Sequence, residues 1–454
     1  MPNTMGKKIA LYLIAPALVA AAVAGAIYWS RTTSSVQTQV ASDPARVKAR
    51  HDFTLEVMGV GLAVSDLRQI NIWDAMEKNP GAFALPVDFR KRTYDWPAST
   101  QWEEGTLAPS AAWLGTQWAV PAFVAGPAIQ DAKIKAYQES IYTNAKWHGW
   151  GMHWRQFPAI GHIYDNHTDT LLEQAFAFFE ANPLAPVAAL YGGDSRELRR
   201  QMMDVAAGEK IADHNSQIEA AGGDPRDLEK NDPTEAMAVL ILVRRDRIDA
   251  LRPYAVDANT GKQVGPAPAR PFQSTTWLPK PWTQQQFEQF DRMPTLGFLH
   301  WPQNVPYLND HGSPLRGEAR SAVFRQGWQQ AMRDLPPDAK VARVFYTAGA
   351  EDRETIVTPL TQTLASETHL NATQAGQGFN LVTNLGDTGA AAPFVQLVLA
   401  LYASYRHHDV SASVNLNRRD GASIVLITPP LDTPRQPAGD PQSFKLLPPV
   451  EAEK

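Results

Sequence analysis

The sequence predicts an α/β fold with mixed β-sheets and buried helices, arranged as two related halves. Three observations carry that expectation. Apolar runs of strand length alternate with helical periods between Phe53 and Thr428. Two helical stretches are apolar around most of their circumference, so each must be enclosed on several sides. In each half such a helix is followed by two strands, an order that suits duplication although no repeat shows residue by residue.

At the N-terminus, after the stub 1–8, Lys7-Lys8 precedes an uncharged run from Ile9 to Trp29. That length spans a bilayer as a helix, and Tyr28 and Trp29 suit the interface. Residues 9–29 are therefore expected to be a transmembrane anchor. The competing reading is a cleaved signal peptide, with Ala24-Gly25-Ala26 as the small-residue cleavage site. Residues 30–50 are polar and without period, a linker.

The first half is placed at 51–255. Phe53 to Val64 reads as a strand running through Gly59 and Gly61, and Asn71 to Met76 as a helix. Phe157 to Ile163 is strand-like. Thr168 to Glu180 places Leu171, Leu172, Ala175, Phe176, Phe178 and Phe179 at helical spacing. Pro186 to Tyr191 is a strand ending at Gly192-Gly193, and Ala236 to Val243 is the continuous apolar run of a strand covered on both faces.

A Pro-rich excursion and connection is assigned to 256–317, and the second half to 318–428. There Ala319 to Leu335 reads as a helix, Val341 to Thr347 as a strand and Thr355 to Ser366 as a helix. Phe379 to Val382 is a strand, and Ala390 to Tyr405 a buried helix. Val410 to Asn417 and Ala422 to Thr428 form a hairpin around Arg418-Arg419-Asp420-Gly421, whose Asp-Gly pair suits a tight turn. Residues 429–454 carry seven prolines and read as an extended tail.

The segment Asn384-Leu385-Gly386-Asp387-Thr388-Gly389-Ala390-Ala391-Ala392-Pro393 joins that strand to that helix. A small-residue turn at a helix N-terminus lets backbones approach closely and aims N–H groups outward. It resembles the turn after the catalytic lysine strand of β-ketoacyl synthases, enzymes of the thiolase-like fold. Val57-Met58-Gly59-Val60-Gly61 with Trp73-Asp74-Ala75-Met76 resembles their opening unit. Leu190-Tyr191-Gly192-Gly193 resembles the end of the strand after their nucleophile helix, and Glu235 to Asp246 the strand closing their first half. The last hairpin fits their final two strands.

The resemblance implies catalytic positions that this chain does not fill. The nucleophile position falls near His167, the histidine segment near Ala350, and the lysine position near Asn384. The sequence has no cysteine, so no thiolate is present to accept an acyl group. In overall arrangement, with FTLEVMGVGLAV and the Gly-Asp-Thr-Gly-Ala turn, the chain resembles the bacterial type VI secretion lipase adaptor family. That resemblance implies a non-catalytic protein that binds a phospholipase effector and helps load it onto a secretion spike protein, without a cofactor. Condensing enzymes commonly pair, which implies a homodimer. The anchor places the protein in the bacterial inner membrane. Lys7 and Lys8 against Arg31 weakly favour a periplasmic body, whereas an adaptor role implies a cytoplasmic one.

Rival sites have blander alternatives. Ser195, after an apolar strand, with Asp310 and His311 downstream would give a serine esterase acting on acyl or lipid esters, yet Ser195 equally suits a helix cap. His148, His153, His162 and His167 do not share a helical face, so no metal site is assigned. Trp96, Trp102, Trp113 and Trp118 stand in a Pro-punctuated stretch and form the candidate partner surface, since tryptophan is enriched at binding hot spots. Their alternative is pinning a long excursion to the core. The net charge of −5 provides no electrostatic reason for a nucleic-acid partner.

Overall fold

β1 (Leu55–Val64) is buried along its whole length because it is paired on both sides. β6 (Ala236–Val243), equally buried, lies antiparallel on one edge, and β7 (Gly297–Leu299) pairs antiparallel with Leu55 to Val57 on the other. The register of β1 on β6 slips between Val57 and Gly59, a bulge that leaves Met58 out of the ladder. The computed structural model describes residues 53–68, 70–86, 119–125, 153–157, 169–194, 234–275, 278, 280–292, 295–336, 338–348, 353–418 and 420–430.

The remaining strands are β2 (Leu67–Arg68), β3 (Ala119–Ala125), β4 (His153–Phe157), β5 (Val187–Asp194), β8 (Gln303–Pro306), β9 (Val341–Thr347), β10 (Gly378–Asn380), β11 (Val410–Asn415) and β12 (Gly421–Thr428). The helices are α1 (Ile70–Lys78), α2 (Thr170–Ala181), α3 (Arg245–Leu251), α4 (Gln284–Arg292), α5 (Gly317–Met332), α6 (Arg353–Glu367), α7 (Leu381–Leu385) and α8 (Ala392–His407). Short 3₁₀ turns cover Arg252–Tyr254 and Gly389–Ala391.

Strand order among the described residues is β10-β9-β11-β12-β7-β1-β6-β5-β3-β4. Read outward from the central β7–β1 pair, both halves are the same. β6 and β12 pair antiparallel with β1 and β7, and β5 and β11 pair antiparallel with β6 and β12. β3 and β9 then pair parallel with both their neighbours. Each half also sends a helix, α2 or α8, into the strand pair β5–β6 or β11–β12. The duplication expected from element order is therefore carried by strand order and direction.

α8 explains why its sequence is apolar all round. It packs on β5 and β6 of the first half and on β9, β11 and β12 of the second, and every residue from Ala392 to Ser404 is buried. Its two buried polar side chains are satisfied by strand carbonyls: Gln396 Nε2 donates to Val414 O and Ser404 Oγ to Ile427 O. α1 crosses to the second half, where Trp73 lies 5.5 Å from the Phe345 ring and 5.2 Å from Phe379. A second cluster under α5 and α6, including Phe324, Trp328, Leu360 and Leu364, packs on β9, β11 and β12.

Two expectations need correction. Phe379 to Val382 is not one strand: β10 stops at Asn380, whose side chain accepts the Val382 N–H and starts α7. That asparagine cap overrides the apolar run. The final hairpin is joined by Leu416 to Asp420, not by an Asp-Gly turn, because Gly421 already belongs to β12. A Cβ at Gly421 would stand 2.7 Å from Val305 O, so this glycine admits β8. Of the strand expected from Phe157 to Ile163, Phe157 is the last residue of β4 and residues 158–163 lie outside the described residues. β7, β8 and α4 occupy part of the Pro-rich span 256–317. Residues 9–29 lie outside the described residues, and among those no helix is long and apolar enough to cross a membrane.

Candidate functional site

The Gly-rich turn sits where the two halves meet. Asn384, near the end of α7, is buried, and its Nδ2 donates to Phe83 O at 2.7 Å. The Leu85 N–H returns a bond to Asn384 O at 2.7 Å. Gly386 (φ 90°) and Gly389 (φ 52°) adopt the left-handed region that favours glycine. Between them Asp387 O accepts the Thr234 N–H at 2.7 Å.

Two amides of the 3₁₀ turn before α8 are occupied. Asp387 Oδ1 accepts Gly389 N–H, and the buried Asp194 Oδ2 accepts Ala390 N–H, each at 2.8 Å. The expectation of outward N–H groups fails at these two positions, because carboxylates of the chain itself fill the place an external anion would take. Asp194 directly follows Gly192-Gly193, but nothing in the sequence pairs it with this turn.

Ala348, the residue after β9, is bracketed by Asn380: its N–H donates to Asn380 Oδ1 at 3.2 Å and its carbonyl accepts Asn380 Nδ2 at 3.1 Å. Close by in the β-sheet, Thr347 Oγ1 donates to Asn415 Oδ1 at 3.4 Å. The carboxyl ends of the parallel strands β9, β10 and β11 thus carry neutral amides and a hydroxyl.

At the start of α2, Asp169 is 3% exposed in its side chain and lies 3.6 Å from Arg418, which precedes β12. Arg418 also bonds Asp420 at 3.2 Å and Asn304 at 3.4 Å, and Asn304 Nδ2 donates to Glu173 of α2 at 2.6 Å. Burial works against the Arg418 charge, but the Asp420 hydrogen bonds and the Asp169 carboxylate outweigh it and raise its affinity for the proton. A fixed cation and its carboxylates therefore stand two residues beyond the expected nucleophile position. Sequence reasoning missed this pairing, since it joins a loop of the second half to a helix of the first.

Other sequence candidates are scattered or undescribed. Asp310 and His311 are exposed on the turn after β8, where Asn309 Oδ1 accepts the His311 and Ser313 N–H groups. Among the described residues the Asp310 carboxylate makes no bond to the His311 ring, the contact a triad requires. Ser195, His167, Ala350, Trp96, Trp102, Trp113 and Trp118 lie outside the described residues. No group of three or more metal-ligating side chains occurs among the described residues.

The chain is similar to several condensing enzymes of known structure. One is the ketosynthase from module 1 of the bacillaene synthase of Bacillus amyloliquefaciens FZB42: 9% identity, 86% of this chain and 75% of that chain covered, TM-score 0.47. Another is the peroxisomal 3-ketoacyl-CoA thiolase of Saccharomyces cerevisiae: 8% identity, 84% and 98% covered, TM-score 0.39. A third is 3-oxoacyl-(acyl carrier protein) synthase III of Pseudomonas aeruginosa: 14% identity, 84% and 100% covered, TM-score 0.35. Similarity at this level carries no chemistry across. Family models match far more specifically: "Type VI lipase adapter protein Tla3, N-terminal" over residues 53–213, and its C-terminal counterpart over residues 296–429. Together they cover more than half of the sequence in the expected order, and the chain belongs to the type VI lipase adapter protein Tla3 family.

Proposed function

We propose that this protein is a non-catalytic adaptor that binds a type VI secretion phospholipase and helps deliver it to the secretion spike. The family match over both halves carries this reading. The absence of cysteine supports it, since condensation by the thiolase route needs a thiolate. The turn supports it too, because the amides of Gly389 and Ala390 are spent on Asp387 and Asp194. Recognition would then be of folded surface by folded surface, with no cofactor.

In the same reading residues 9–29 tether the protein to the inner membrane, the body follows a short linker, and two copies pair. The experiment is affinity purification of the detergent-solubilised full chain from a type VI-proficient bacterium. It is scored for a phospholipase and a spike protein, with light scattering reporting copy number. Recovery of neither protein overturns the adaptor reading. A monomer in light scattering overturns the pairing alone.

A further inference from the structure

Outside the junction between the halves, a groove of about 1150 Å³ opens between the N-terminal part of α5 and the middle of α6. Small side chains line it, Ser321 and Ala322 from α5 and Ala365 and Ser366 from α6. Pro359 also lines it and lies inside α6. A proline there has no N–H for the carbonyl one turn earlier, which loosens the helix at the groove wall.

The charge on this groove is opposite to that of the protein. The chain has a net charge of −5, yet Arg316, Arg320 and Arg325 line the groove against a single acid, Glu318. Arg325 is loosely engaged, 4.0 Å from Glu367. Arg316 and Arg320 have no acidic partner among the described residues. Arg320 is held in place, its guanidinium carbon 4.0 Å from the centre of the Tyr307 ring, so little side-chain freedom remains to be lost on binding. Arg320 stands four residues after Arg316, the N-terminal cap of α5, and a guanidinium fork matches a carboxylate.

We infer that this groove is a docking site for an acidic segment of a partner protein, its carboxylates taken by Arg316 and Arg320 and its small apolar side chains laid along the small lining residues. Charge complementarity selects the sign of the occupant. The volume exceeds what a single small anion fills, and a groove between two helices fits a polypeptide better than a flat bilayer. The inference about groove chemistry stands by itself; that the segment belongs to the phospholipase rests on the adaptor reading.

The probe is a fluorescein-labelled dodecapeptide of alternating glutamate and alanine, with glutamine replacing glutamate in the control, titrated into the detergent-solubilised full chain. Saturable binding of the glutamate peptide, weakened at least tenfold by Arg316→Glu with Arg320→Gln and by the glutamine control, supports the inference. Arg316 is exposed, so Arg316→Glu alone should keep the melting temperature and still weaken binding several-fold. Equal binding by wild type and Arg316→Glu overturns the inference, as does no binding to wild type. Arginine-dependent binding to phosphatidylglycerol vesicles without peptide binding overturns it in favour of a membrane surface. If wild type recovers no phospholipase, the adaptor reading fails while the peptide titration still decides the groove. If wild type and Arg316→Glu recover it equally, the adaptor reading stands and the groove is not where the cargo docks.

Discussion

The Phe394 ring lies directly over Gly192: a Cβ built at position 192 would stand 2.0 Å from ring Cδ2 and 2.9 Å from Cε2. Gly192 is in β5 of the first half and Phe394 in the first turn of α8, so this contact sets how closely the central helix approaches the sheet. That closeness closes the junction between the halves.

Gly192→Ala should therefore destabilise by about 1–3 kcal/mol, the usual cost of forcing a methyl into a packed core. Phe394→Ala should cost about 3–5 kcal/mol. The double variant should cost less than the two losses added, because the methyl then occupies space the ring has left. Urea denaturation of the four proteins measures the coupling. Strict additivity would mean that the two residues do not share this space.

Asp194 makes a second link across the same junction. Asp194→Ala leaves the buried Ala390 N–H without its acceptor, at a cost of about 1–3 kcal/mol, whereas Asp194→Asn retains an acceptor oxygen and should cost less. Both variants should recover phospholipase as wild type does at temperatures where they remain folded. Loss of recovery by a fully folded Asp194→Asn would give this turn a role in recognition that packing does not provide.

The sequence made legible those elements whose burial is nearly complete. Ala236 to Val243 reads as a strand covered on both faces, and the run matches β6 residue for residue. The six large or small apolar positions named in α2 are its buried residues. What stayed illegible depends on partners far along the chain. β7 and β10 are three residues each and exist because β1, β12 and β9 offer them hydrogen bonds. Within the candidate site, the glycines of the turn were visible, but Asp194 and Arg418 were not. A carboxylate or guanidinium shows no periodicity, and only the fold brings it to its partner.

Arg247 of α3 shows the same dependence at the far end of α2. Its guanidinium donates to Phe179 O at 2.6 Å, Asn182 O at 2.8 Å and Ala185 O at 2.9 Å, carbonyls at and beyond the end of the helix that lack intrahelical donors. Burial, with Arg244 nearby, brings its pKa down to about 10, still well above neutrality. Arg247→Met should cost about 2–4 kcal/mol, on the scale of charged hydrogen bonds left unmade. Lysine should restore only part of this, because one ammonium cannot span three carbonyls. Full rescue by lysine would show that charge at the helix end, and not the fork, is what matters.

His300 predicts an acid sensitivity that the carboxylates do not explain. It follows β7, is 6% exposed, and its Nε2 sits 3.2 Å from Thr428 Oγ1. Burial alone pushes its pKa down from 6.5 to about 4. The unfolded chain thus takes up a proton near pH 6.5 that the folded chain refuses until about pH 4. Between those values the unfolded state binds more protons, so stability is complete above pH 6.5 and falls as pH drops, by roughly 3 kcal/mol at full effect. Asp246 and Asp291, whose pKa values are lowered from 3.8, lose their contribution only at lower pH. Urea midpoints at pH 7.0, 6.0 and 5.0 should decline for wild type, and the decline should be much shallower for His300→Gln, which cannot take the proton. Parallel slopes for the two proteins would assign the sensitivity to other groups.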